Sequence, residues 1–148
     1  MAAQWPLIHA RLVAVLPTLS GWPTQVYDGP PVTGDNPTRY ATVGYVFGED
    51  GGGSFSTDTD GNGFQIVETG SVRGEIVATT GAADLVTVRS QAFAMVDALE
   101  AYIRGDRTLG GVLSAQGTAV LQVDVLPTQT TQGATQRLPF TVEYTTVT

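Results

Sequence analysis

The sequence predicts an α+β fold, a mainly antiparallel sheet with two helices packed on one face. Three observations carry that expectation. A long amphipathic stripe over residues 84–104 reads as a helix, several shorter segments alternate polar and apolar residues as half-buried strands do, and most of those strands follow one another as hairpin neighbours. At 148 residues the chain is sized for a single domain, 1–148, able to bury a core without staples.

The first element is a helix from Trp5 to Leu16. Trp5, Ile8, Leu12 and Val15 or Leu16 fall at helical spacing, Pro6 suits the first turn, and Pro17 ends the helix. A proline-rich loop follows, interrupted by the apolar pair Val26 and Tyr27. Residues 40–47 then alternate, with Ala41, Val43, Tyr45 and Phe47 on one face of a strand. Residues 48–63, GEDGGGSFSTDTDGNG, read as one long loop, and loops of that length are commonly functional. Two strands come next, 64–69 and 72–79, joined near Gly70 and Ser71.

In the helix over 84–104, Leu85, Val88, Ala92, Met95, Val96, Leu99 and Ile103 make one apolar stripe. Asp84 is placed to cap its start, Gly105 to supply a left-handed residue past its end, and Glu100 with Arg104 to pair at i, i+4. A strand over 119–126 carries Leu121, Val123 and Val125 on one face. The last strand sets Leu138, Phe140, Val142 and Tyr144 against Arg137, Thr141, Glu143 and Thr145. Between them PTQTTQGATQ reads as a long polar hairpin loop, and Pro139 points to an edge position or a bulge.

Composition narrows the function. Charged residues are 14% of the chain, against about 25% in ordinary domains, and the polar remainder is rich in Thr and Gln. Such a surface suits burial against partner subunits. The net charge is −7, with seven arginines and no lysine, so the chain lacks the basic patch that displaces counterions from phosphates. DNA near this protein passes rather than binds. No cysteine is present, which excludes disulfides, thiolate metal sites and cysteine nucleophiles. No apolar run reaches the ~20 residues of a membrane span, and the N-terminus lacks the pattern of a signal peptide, so the expectation is a cytoplasmic protein.

No catalytic constellation stands out. His9, the single histidine, sits among apolar residues of the first helix, the carboxylates have no acid–base context, and Gly51-Gly52-Gly53 lacks the residues of a phosphate loop. The chain is expected not to be an enzyme and to hold no cofactor and no metal. One stretch tests the last point: Asp58-Thr59-Asp60-Gly61-Asn62-Gly63 matches the first half of a calcium loop. Position 12 of the pattern is Thr69, with Glu68 one residue early, and a strand rather than a helix follows. The same residues are those that a tight turn recruits. Glu49, Asp50, Phe55, Asp58 and Asp60 are therefore assigned to a partner-contact loop, with a solvated loop as the plain alternative.

Taken in order, the N-terminal helix, VYDGPPVTGDNPTRYATVGYV, the acidic glycine-rich stretch, GEIVATTGAADLVTVRSQAFAMVDALEAYIRGD and LQVDVLPTQTTQGATQRLPFTVEYTTV resemble the tail terminator (tail completion) proteins of long-tailed phages, particularly those infecting actinobacteria. The resemblance implies a small structural subunit that forms a hexameric ring on the tail tube protein, ends tube polymerisation and meets the head–tail connector or stopper protein. It places the protein in the virion at the head–tail junction, with DNA crossing the lumen unbound. A connector, stopper or other minor tail protein is the nearest alternative. A calcium-dependent cell-surface module is the alternative of a different class.

Overall fold

A computed structural model of the chain describes residues 3–23, 25–32, 34, 37–59, 63 and 65–147. Helix α1 spans Trp5–Val15 and runs into a 3-10 turn, Leu16–Thr18, at Pro17. Strands β1 (Val26–Asp28), β2 (Arg39–Val43), β3 (Gly53–Thr59) and β4 (Ile66–Thr80) precede helix α2 (Leu85–Gly105). Strands β5 (Thr118–Val123), β6 (Leu126–Thr130) and β7 (Gly133–Val147) follow it.

The described residues form one seven-stranded sheet built on two long strands. β4 and β7 pair antiparallel from Val67↔Val147 to Thr80↔Ala134. Each carries two shorter strands end to end along its outer side: β3 and β2 beside β4, β5 and β6 beside β7. β1 adds to β2 in parallel, the one parallel pair among them. The sheet is thus mainly antiparallel, as expected for the α+β class.

Both helices cover the same face. Val72, Ile76, Leu138, Phe140, Val142 and Tyr144 alternate inward from β4 and β7 and are buried against Ile8, Leu12 and Leu16 of α1 and Val88, Ala92, Met95 and Leu99 of α2. Burying a Leu, Ile or Phe side chain stabilises by roughly 1.5–3 kcal/mol, so this layer is the main source of stability. Trp22 is fixed to it by its indole N–H, which donates to the Met95 carbonyl at 2.8 Å. Arg11 and Asp106 tie the helices together through Tyr102, whose hydroxyl accepts from Arg11 Nε and donates to Asp106, both at 3.1 Å.

Several sequence expectations change. Residues 64–69 and 72–79 are one strand rather than two, and Phe64 lies outside the described residues. Gly70 makes no turn. It sits mid-strand because a Cβ there would lie 2.6 Å from the Ser54 carbonyl and 2.8 Å from the Tyr144 hydroxyl. Residues 53–59, expected as loop, are strand β3, paired with β4 from Gly53↔Val72 to Thr59↔Ile66. Residues 45–47 leave the sheet: the Gly44 N–H still bonds to the Arg73 carbonyl, but its φ of +81° turns the chain away after it. Val26 and Tyr27, read as an apolar pair interrupting the proline-rich loop, belong to edge strand β1.

The ten-residue polar loop before β7 is instead the hairpin of β6 and β7, turning at Thr131 and Gln132. Pro139 lies in a central strand, not at an edge. It faces the joint where β5 stops at Val123↔Phe140 and β6 resumes at Leu126↔Arg137 in unchanged register. Its missing N–H falls where the ladder is already interrupted, and its carbonyl still accepts from Asp124 N–H at 2.8 Å. α2 starts as expected, with Asp84 accepting from Thr87 N–H at 3.1 Å and Thr87 Oγ1 at 2.6 Å. Its end differs: Gly105 is the last helical residue, and the helix closes with Asp106 N–H on the Tyr102 carbonyl.

Candidate assembly surface

The face of the sheet away from the helices divides in two. Over β2 and the upper half of β4 it is covered by residues 44–52, which fold back across it. Thr42 Oγ1 donates to the Tyr45 carbonyl at 2.8 Å, Val46 is buried, and Arg73 N–H donates to the Gly52 carbonyl at 2.8 Å. Beneath this flap lies an ion pair, Arg137 Nη1 to Glu75 Oε1 at 2.7 Å, with Glu75 only 2% exposed. The Phe47 ring stands over the Arg137 guanidinium, 4.5 Å from its centroid. Burial pushes the Glu75 carboxyl above the usual carboxylate range, and Arg137 pulls against that shift. Among the described residues Oε2 of Glu75 has no hydrogen-bond partner, which adds to the cost of burying this carboxylate.

The other half of this face is open. Register places Ser54, Ser71, Glu143 and Val120 in one row, and Ser56, Thr69, Thr145 and Thr118 in the next. They line a shallow depression of about 480 Å³. Its polar groups are hydroxyls and one carboxylate. Arg73, one row away, is paired with Glu49. Such a surface offers water-like hydrogen bonding but no cation for a phosphate.

On the same half of the sheet both outer strands have a free side. Among the described residues β3 is bonded to β4 alone and β5 to β7 alone, so each presents unpaired backbone groups at opposite edges of a four-stranded section, β3-β4-β7-β5. Beside β5, on the helix face, a groove of about 550 Å³ runs under α2. It is lined by Val96, Ile103, Ala119, Leu121 and Val123, with Glu100, Arg104 and Arg107 at its rim. Glu100 and Arg104 form the expected i, i+4 pair.

The five residues assigned to a contact loop do not share one loop. Glu49 and Asp50 lie in the flap, Glu49 held by Arg73 and Asp50 exposed. Phe55 and Asp58 lie on β3, and Phe55 is 49% exposed. Asp58 accepts the N–H of Thr59 at 2.9 Å. Asp60 lies outside the described residues. Pairing of Asp58 with Val67 and of Thr57 with Glu68 puts Asp58 and Glu68 on opposite faces of the β3–β4 hairpin. Glu68 is buried on the helix face, where it takes up Gln4 N–H and the Tyr144 hydroxyl. Sequence reasoning missed the edge role of β3, whose small polar residues carry no alternation, and the α2–β5 groove, which only the topology creates.

His9 is neighboured by Trp5, whose ring centroid is 5.1 Å away, and its Nε2 lies 2.6 Å from Asp28 Oδ1. Gly44 gives it room, since a Cβ there would lie 2.5 Å from the imidazole. The pair joins α1 to β1. Among the described residues no helix is long and apolar enough to cross a membrane, and no cluster of three acidic or histidine side chains is placed to hold a metal ion.

No family model and no curated protein matches the chain. Among solved structures it is similar to a chain of "Virion of native gene transfer agent (GTA) particle", at 21% identity and a TM-score of 0.43, over 93% of this chain and 90% of that one.

Proposed function

We propose that the protein is a structural virion subunit, a tail terminator that assembles into a ring on the last ring of the tail tube, stops its growth and meets the connector or stopper on the head side. The observation that carries the reading is the pair of free strand edges on opposite sides of one sheet section, beside an uncovered hydroxyl-lined face. Two different surfaces on one subunit make head-to-tail contacts, and head-to-tail contacts that close make rings. The sequence resemblance supports the same role and supplies the number six.

The open face, with Ser54, Ser56, Thr69, Ser71 and Glu143, suits the wall of a channel. It hydrates, repels phosphate weakly, and holds no free arginine to arrest passing DNA. A net charge of −7 per subunit acts in the same sense. The reading is non-catalytic and cofactor-free, and it places the protein in the host cytoplasm during assembly and at the head–tail junction afterwards. Glu49, Asp50, Phe55, Asp58 and Asp60 serve as contact residues in it.

Negative-stain microscopy of the purified protein at high concentration tests the reading, together with labelled protein added to tails. The expected result is rings, bound at the head-proximal end of tails. A protein that stays monomeric and joins no tail overturns it. Rings that bind connector complexes but not tails assign the chain to the connector or stopper instead.

A further inference from the structure

Which surfaces join one subunit to the next follows from the alignment of the two free edges. This step rests on the ring reading above. Phe55, Gly70, Tyr144 and Ala119 lie in a single row across β3, β4, β7 and β5. Tyr144 points into the helix layer, so Phe55 and Ala119 leave the sheet on that same side, at opposite edges and the same level. β3 spans seven residues and β5 six, so the free edges also match in length. β3 runs antiparallel to β4, β4 to β7 and β7 to β5. A second copy added beside β5 through its own β3 therefore continues an all-antiparallel sheet without reversing the subunit.

We propose that β3 of one subunit pairs with β5 of a second copy of this chain, and that Phe55 enters the apolar groove between α2 and β5 of that copy. Backbone pairing sets direction and register, while a side chain in a pocket supplies apolar burial and selectivity, as in strand addition generally. Phe55 is half exposed on its own subunit, although phenylalanine belongs inside. Val96, Ile103, Ala119, Leu121 and Val123 offer an apolar trough of suitable size.

Charge agrees. Residues 44–59 hold Glu49, Asp50 and Asp58 and no basic residue, and neither aspartate has an ion-pair partner among the described residues. The groove rim carries Arg104, which is paired with Glu100, and an exposed Arg107, for which no described carboxylate is a partner; Arg107 is the cation left for the acidic segment. β3 has no lysine, no proline and no bulge to protect its edge, and its one charge, Asp58, stands next to its last residue.

The lack of cysteine makes the contact directly testable. Ser54 and Ser56 of β3 and Val120 of β5 are exposed and point to the open face, where cross-strand neighbours stand ~5 Å apart. Full-length protein carrying Val120→Cys with Ser54→Cys or Ser56→Cys is oxidised and run on a non-reducing gel. The expected result is a ladder that ends at the ring number, with each single-cysteine variant giving no ladder. In parallel, Phe55→Ser weakens association roughly thirtyfold, as loss of a central aromatic anchor does, without lowering the melting temperature. Rings seen by microscopy with neither double variant cross-linking overturn this interface and leave the ring reading standing. Absence of any oligomer overturns both. Cross-linking to a tube protein in place of self cross-linking gives the edge to that partner and also overturns the proposal.

Discussion

Both carboxylate oxygens of Glu68 accept the backbone N–H of Gln4, at 2.9 and 3.1 Å. Helix α1 has no acidic residue in its first turn and no side-chain cap of its own, so a strand residue 64 positions away supplies the anion its N-terminus favours. Glu68 also accepts the Tyr144 hydroxyl at 2.6 Å. Glu68→Ala removes the carboxylate that both donors use and is expected to destabilise the protein by about 1–3 kcal/mol in urea unfolding.

Tyr144 gives the same site a signature at high pH. Burial, then Glu68, raises its hydroxyl well above the usual tyrosine range. A raised folded-state value means that this contribution is complete below about pH 10 and is lost as the pH climbs through the folded value. Melting temperatures taken from pH 8 to 11 should therefore fall at the alkaline end, and Tyr144→Phe should flatten that fall.

Glu75 and Arg137 differ in how far they are buried, the arginine side chain keeping 26% of its surface exposed. Arg137→Met strands the Glu75 carboxylate under the flap. A loss of about 2–3 kcal/mol is expected at pH 8, below that of a fully buried pair because of the arginine's exposure. Burial already raises Glu75, so the folded state holds its proton more tightly than the unfolded chain, and the lost arginine raises it further. The penalty of Arg137→Met must then shrink as the pH falls from 8 to 5. Adding Glu75→Gln should remove most of the pH dependence. Urea melts at the two pH values decide it.

Gly74 sits where β2, β4 and β7 meet the Phe140 ring. An added Cβ would stand 2.2 Å from the Thr42 carbonyl and 2.5 Å from Phe140 Cζ. Phe140 alone could turn aside, but the carbonyl belongs to a paired strand. Gly74→Ala is expected to cost about 1–3 kcal/mol, and Phe140→Leu should not rescue it. A thermal melt of the single and double variants checks this.

Calcium should leave the protein unmoved. Asp58 and Glu68 occupy opposite faces of one hairpin, and Glu68 is already engaged by Gln4 and Tyr144. The melting temperature in millimolar calcium is expected to equal that in chelator. A rise that disappears in Asp58→Ala would restore the ion-binding alternative.

The parts of this fold that could be read from sequence are those where one face is buried. α2 and the second half of β7 announce themselves because Val88 to Ile103 and Leu138 to Tyr144 repeat at 3.6 and 2 residues. β3 and β6 do not, because almost every side chain on them is exposed and their strand form comes from the neighbour they bond to. Gly70 misleads for a different reason: the sequence shows a glycine before a serine, but only the packed Phe55 and Tyr144 reveal that the glycine is there for closeness. Of the contact residues, Phe55 was recognisable as a lone aromatic in a polar stretch. The groove it is proposed to fill was not, because α2 and β5 meet only in the folded chain.

The fourteen register pairs between β4 and β7 give the subunit a stiff spine. A force along those strands would have to break many of its backbone bonds together, whereas a force across them would open one at a time. If successive subunits join edge to edge, the spines stand side by side like the staves of a cask, each braced by α1 and α2 on one side. A ring so built would resist a pull along its axis far better than it resists being peeled apart subunit by subunit.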